Sequence, residues 1–148
     1  MVTPAVAALS SRLLDVAATE QDPVRVANAL TRLHALVFFD LLPHTDRPRV
    51  VAIAQALLAG AHAPAVWLAA LELAVATGDE HLRTIVEGIG SGAIRPRFAE
   101  REDLTLLVCG VAQRALVRAG DWSRLGPRCR PDIHPPTAQL PPPFAIGT

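Results

Sequence analysis

Val50 to Leu71 read VVAIAQALLAGAHAPAVWLAAL, a run of 22 residues without a formal charge. Such a run is long enough to cross a bilayer as one helix. It is also the length of two ordinary helices joined by a turn. Gln55, Gly60, His62 and Pro64 decide between these readings. Glycine suits the left-handed residue that ends a helix, and proline suits the first position of the next one. Gly60-Ala61-His62-Ala63-Pro64 therefore reads as a turn, and the sequence predicts two buried helices with no membrane span.

The same grammar of starts and stops continues on both sides. Thr45-Asp46-Arg47-Pro48 opens the helix before the turn, with Val50, Ile53, Ala54, Leu57 and Leu58 as its apolar positions. After Pro64, the only charged residue between Ala65 and Thr77 is Glu72. A helix that apolar belongs at the centre of a core, and Gly78 is a natural stop. Upstream, Thr3-Pro4 and Asp22-Pro23 each pair an N-cap with a helix-starting proline. Val6, Leu9, Leu13 and Val16 form the stripe of the first helix. Val26, Leu30, Leu33, Val37 and Leu41 form that of the second, which Pro43 stops. Downstream, Asp79 caps a short fifth helix carrying Leu82, Ile85, Val86 and Ile89, closed by Gly90-Ser91-Gly92. A sixth starts between Arg101 and Asp103, carries Leu104, Leu107, Val108, Val111 and Leu116, and closes at Gly120.

No segment alternates apolar and polar residues as a strand would. The fold class is all-α: about six helices over residues 1–120, arranged as three antiparallel hairpins joined by short connections. From Asp121 the composition changes. Seven of the 13 prolines fall between Pro127 and Pro143, so residues 121–148 form a proline-rich tail of extended conformation. Trp122, Leu140 and Phe144 are spaced through it as apolar anchors, which predicts docking on the helical body or on a partner.

Asp22-Pro23-Val24-Arg25-Val26-Ala27-Asn28-Ala29-Leu30 resembles the Asp-Pro start, Val-Arg pair and Ala/Leu pattern of HEAT and armadillo repeat helices. Ala63-Pro64-Ala65-Val66-Trp67-Leu68-Ala69-Ala70-Leu71 repeats part of it, 41 residues on, which suits the period of such repeats. The resemblance implies a short HEAT-like stack that binds other macromolecules. An irregular bundle is the alternative arrangement of the same helices.

Composition sets further bounds. The chain has 148 residues, enough for a core without disulfides. All 14 basic residues are arginine and balance 14 acidic ones, so global charge does not favour a polyanion. Residues 1–94 carry a net charge of −3, and residues 95–148 carry +3. Cys109 and Cys129 lack metal-ligand spacing and read as reduced thiols. With no secretory signal in the opening residues, a cytoplasmic location is expected.

Motifs for chemistry are absent. The five histidines, His34, His44, His62, His81 and His134, form no HxxxH or HExxH pair. No metal or cofactor site and no catalytic residue is expected. A helix-turn-helix rhythm over Ile53 to Leu68 fails because its second helix offers only Ala65, Val66, Ala69 and Ala70 to a base edge. Asp79 and Glu80 beside His81 are poorly placed for a base and its orienting acid, since adjacent helical residues diverge. The favoured reading is a non-catalytic protein-protein interaction module, an adaptor or accessory subunit that binds another protein or itself. Its expected contact residues are Arg95, Arg97, Arg101, Trp122, Leu140 and Phe144. One alternative is a small-molecule-binding or hydrolytic protein, which needs residues such as His34, Glu72 or His81 to converge on a pocket. Another is weak nucleic-acid binding through the arginine cluster.

Overall fold

Six helices follow one another along the chain in a computed structural model that describes residues 2–97 and 105–118. They are α1 (Pro4–Thr19), α2 (Pro23–Phe38), α3 (Arg47–Ala59), α4 (Pro64–Ala76), α5 (Glu80–Gly90) and α6 (Thr105–Arg118), with a single 3-10 turn at His44–Asp46 before α3. The described residues contain no strand, only one isolated bridge between Ala61 and Arg97. None of these helices is long and apolar enough to cross a membrane. The charge-free run is thus two helices, broken where Gly60 and Pro64 stand.

Three helix starts are closed by the expected side chains. The backbone N–H of Val6 donates to Thr3 Oγ1 at 3.2 Å, that of Val24 to Asp22 Oδ1 at 3.1 Å, and that of Leu82 to Asp79 Oδ2 at 3.0 Å. Each satisfies an N–H that the helix cannot, worth about 1 kcal/mol. The α3 start is built differently. Asp46 makes no side-chain cap. Its carboxylate instead accepts from the buried Ser10 hydroxyl at 2.8 Å, which ties α1 to the head of α3. Arg47 then reaches from that head to the Thr77 carbonyl at 3.1 Å, just past the end of α4.

α4 is the centre of the bundle. It packs on α2, α3, α5 and α6, and its packing on α2 is the most extensive in the molecule. Val66, Trp67, Ala70, Leu71, Leu73, Ala74 and Val75 are all buried, and apart from the two end residues only the stripe of Ala65, Leu68, Ala69 and Glu72 is left partly open. That is the physical meaning of a helix with one charge in thirteen residues. The successive pairs α1–α2, α3–α4 and α5–α6 also pack on each other.

The structure revises three details of the sequence reading. α2 ends at Phe38, before Pro43. Asp40 takes a left-handed φ of 57°. The N–H of Asp40 then donates to the Val37 carbonyl and that of Leu41 to Leu36, a Schellman closure with aspartate where glycine is usual. The turn changes the register, so Leu42 is buried and Leu41 is exposed. Gly60 is not left-handed; its φ is −99° and it is extended. Glycine is needed there for space, because an added Cβ would lie 2.7 Å from His62 Nε2. In α6 the buried face is Val108, Ala112, Ala115 and Leu116, while Leu107 is exposed. The proline-rich tail, with Trp122, Leu140 and Phe144, lies outside the described residues, as does Arg101.

Candidate functional site

The seam between α2 and α4 opens into a cleft of about 410 Å³. Helical spacing explains its walls. Ala27, Thr31 and His34 come round to one side of α2 at intervals of four and three residues. Ala65, Leu68, Ala69 and Glu72 do the same on α4. Four alanines and leucines make the walls apolar. Small residues at 27, 65 and 69 leave the gap that larger ones would fill.

Three polar side chains break that apolar surface. The Thr31 hydroxyl donates to the Ala27 carbonyl at 2.9 Å, so its oxygen lone pairs are what it offers to a ligand. His34 and Glu72 are half-buried on opposite walls. Glu72 is the only formally charged side chain among the described residues of the lining. His34 and Glu72 are two of the polar residues whose convergence the small-molecule reading looks for. His81, another such residue, is exposed elsewhere and meets Gln55 at 3.4 Å.

An aromatic rim adjoins the cleft. The His34 ring stacks on Phe38, with centroids 6.1 Å apart and planes at 23°. Phe38 in turn meets Phe39 edge to face at 5.1 Å and 87°. These two phenylalanines are 69% and 66% exposed, more than any other large apolar side chain described. Leu41 extends the exposed surface. Sequence reasoning passed over this pair. The available signal was simple: neighbours on a helix point about 100° apart, so two adjacent phenylalanines at its last turn do not share one narrow core face.

The arginine cluster is placed only in part. Arg95 and Arg97 are exposed, and Arg101 lies outside the described residues. Arg97 is engaged within the chain. Its guanidinium donates to the Ala59 carbonyl at the end of α3. Its own carbonyl accepts from the Trp67 indole at 3.1 Å and from the His62 N–H at 3.3 Å. His62 packs edge-on to Trp67 at 6.4 Å, and its Nε2 is buried without a partner. Burial therefore holds the His62 pKa below its ordinary value, partly opposed by a bond to the Leu57 backbone. These contacts fasten the 94–97 loop onto the α3–α4 turn.

The remaining candidates are dispersed. Cys109 is half-buried and its Sγ donates to the Ile89 carbonyl at 3.1 Å, tying α6 to α5. His44 is exposed. No group of three His, Cys, Asp or Glu side chains suited to a metal occurs among the described residues. No protein-family model, curated protein or solved structure matches the chain.

Proposed function

We propose that the chain is a non-catalytic helical interaction module, an adaptor or accessory subunit, that holds another protein at the C-terminal end of α2. One observation carries this reading: Phe38 and Phe39 stand side by side in solvent, beside an apolar cleft. Burying a phenylalanine is worth about 1.5–3 kcal/mol, which this chain leaves unrealised twice at one place. Clustered exposed apolar side chains mark interaction surfaces, and aromatic anchors carry most interface energy. A stack of three antiparallel hairpins, as the HEAT resemblance implies, is the scaffold that fits this role. A cytoplasmic setting and a docking role for Trp122, Leu140 and Phe144 belong to the same proposal. So does a supporting contact from Arg95 and Arg101.

Affinity purification of the wild type and of Phe38→Ser/Phe39→Ser, followed by titration of the purified captured protein against both, tests the reading. The expected result is a partner, or a second copy of this chain, that the variant loses while staying folded. Equal affinity for wild type and variant would refute it.

A second reading is favoured by His34 and Glu72 lining one cleft, whose volume lies in the range of small-molecule sites. Leu68→Trp, which fills the cleft, then abolishes a thermal shift produced by a small ligand. A shift that survives the filled cleft counts against it.

A further inference from the structure

Resting on the interaction-module reading, we propose that the partner of the α2 surface is a second copy of this chain. Two α2 helices pack antiparallel across a two-fold axis, and Phe38 of each enters the α2–α4 cleft of the other.

The outer stripe of α2 is its own complement. Ala27, Thr31, His34 and Phe38 follow at intervals of four, three and four residues. They lie within about 60° of one another round the helix. Those intervals read the same in both directions. A two-fold contact pairs residue i with j and j with i. An antiparallel copy therefore sets Phe38 opposite Ala27 and His34 opposite Thr31, twice over. The sizes match as well as the spacing. The large ring meets a small residue, beside the gap that Ala65 and Ala69 leave across the cleft. Thr31 gives its proton to the Ala27 carbonyl, so its oxygen accepts a ring N–H of the facing His34.

The exposed apolar residues follow the same symmetry. Val24 stands three residues before Ala27, and Leu41 three after Phe38. With Phe38 and Phe39 they are four of the six large apolar side chains exposed among the described residues. In the pairing, each Val24 meets the Phe39–Leu41 end of the other copy. The stripe contains no Asp, Glu or Arg, and the formal net charge of the chain is zero. Glu72, on the opposite wall of the cleft, is already engaged within the chain. Antiparallel packing sets the negative end of each helix dipole beside the positive end of the other. The stripe is three turns long, about 16 Å from Ala27 to Phe38. That makes a small interface, so a Kd of about 10–100 µM is expected.

The test is sedimentation velocity of the full chain between about 5 and 500 µM, a range that brackets this Kd. Wild type is expected to pass from monomer to dimer across it. Phe38→Ala weakens the dimer by about tenfold or more. Thr31→Glu does the same, because it sets two carboxylates close to the axis. Thr84→Glu, the same change at an exposed position of α5, leaves association as it was. Ala27→Phe fills the gap and abolishes association. The exchange Ala27→Phe/Phe38→Ala puts the ring on the other side of the same pair and restores it. Circular dichroism checks that each variant is folded. A wild type that stays monomeric at every concentration, a dimer that Phe38→Ala or Thr31→Glu leaves intact, or a folded exchange variant no tighter than Ala27→Phe overturns the proposal. A monomeric wild type whose captured protein is lost by Phe38→Ser/Phe39→Ser overturns the second copy as occupant and leaves the interaction module standing. The module itself falls if the double serine variant keeps that protein.

Discussion

α2 and α4 begin alike, each with a proline in its first turn, and both are rich in alanine and leucine. They also pack on each other more extensively than any other pair. Their fates differ. α4 has α2, α3, α5 and α6 packed against it and, apart from its ends, leaves only the Ala65–Leu68–Ala69–Glu72 stripe of the cleft partly open. α2 buries Val26, Ala29, Leu30, Leu33, Leu36 and Val37 along one face and ends on two phenylalanines in water. The sequence separates the two helix bodies, since α4 has one charged residue and α2 has a polar face with Arg25 and Arg32. The number of helices around each adds to that difference. Most apolar residues of α4 are consumed by folding, whereas the last turn of α2 retains two large apolar side chains that folding does not use.

The largest expected effect sharpens that contrast. Leu71→Ala in the centre of α4 removes a fully buried side chain and should cost about 2–5 kcal/mol in urea unfolding. Phe38→Ser/Phe39→Ser replaces more apolar volume, yet should change stability by no more than about 0.5 kcal/mol. A loss above about 2 kcal/mol for the serine pair would make the end of α2 part of the core and break the comparison. Next in size is Gly60→Ala at the head of α4. Its methyl group meets the His62 ring, so a loss of about 1–3 kcal/mol is expected. The loss should shrink in the Gly60→Ala/His62→Ala background, a coupling that a double-mutant cycle reads directly.

Smaller effects are expected at the two helix ends. Asp40→Gly relieves a left-handed residue after α2 and should raise stability by about 0.5 kcal/mol. Part of the relief is lost to the looser unfolded chain of glycine. His62, beside the start of α4, gives the least and is read through pH. Its folded pKa is lowered by burial, so the unfolded chain binds more protons as pH falls. Its contribution is complete above the unfolded value near pH 6.5 and is lost as pH falls through the lower folded value. The thermal midpoint of the wild type should drop more between pH 7.5 and pH 5 than that of His62→Gln. Parallel curves for the two proteins would refute this sign.

Much of the fold was legible because it is local. Thr3, Asp22 and Asp79 cap helices where composition placed them, and Pro64 begins α4 as expected. The core position of α4 followed from its lack of charge. The misreadings share a cause in tertiary context. Gly60 was correctly seen as a breaker, but its role depends on a His62 ring that folds back on it. Leu41 fits the α2 stripe, but Asp40 ends the helical register before reaching it. The cleft was the least legible feature. It depends on Ala27, Ala65 and Ala69 meeting across two helices, and a pairing between α2 and α4 is not written in either stripe. His34 and Glu72 were visible as isolated polar residues, but their placement across one gap was not. Of the expected contact residues, Arg97 emerged fastened within the chain, and Arg101, Trp122, Leu140 and Phe144 lie outside the described residues.

The contrast between the two helices reduces to one measurement on Phe38→Ser/Phe39→Ser: affinity for the partner that the wild-type chain captures, taken beside the thermal midpoint. A midpoint close to wild type together with a loss of binding of about a hundredfold or more is the predicted result, since two aromatic anchors are removed from an interface and none from the core. Unchanged affinity, or binding lost only through unfolding, would contradict it.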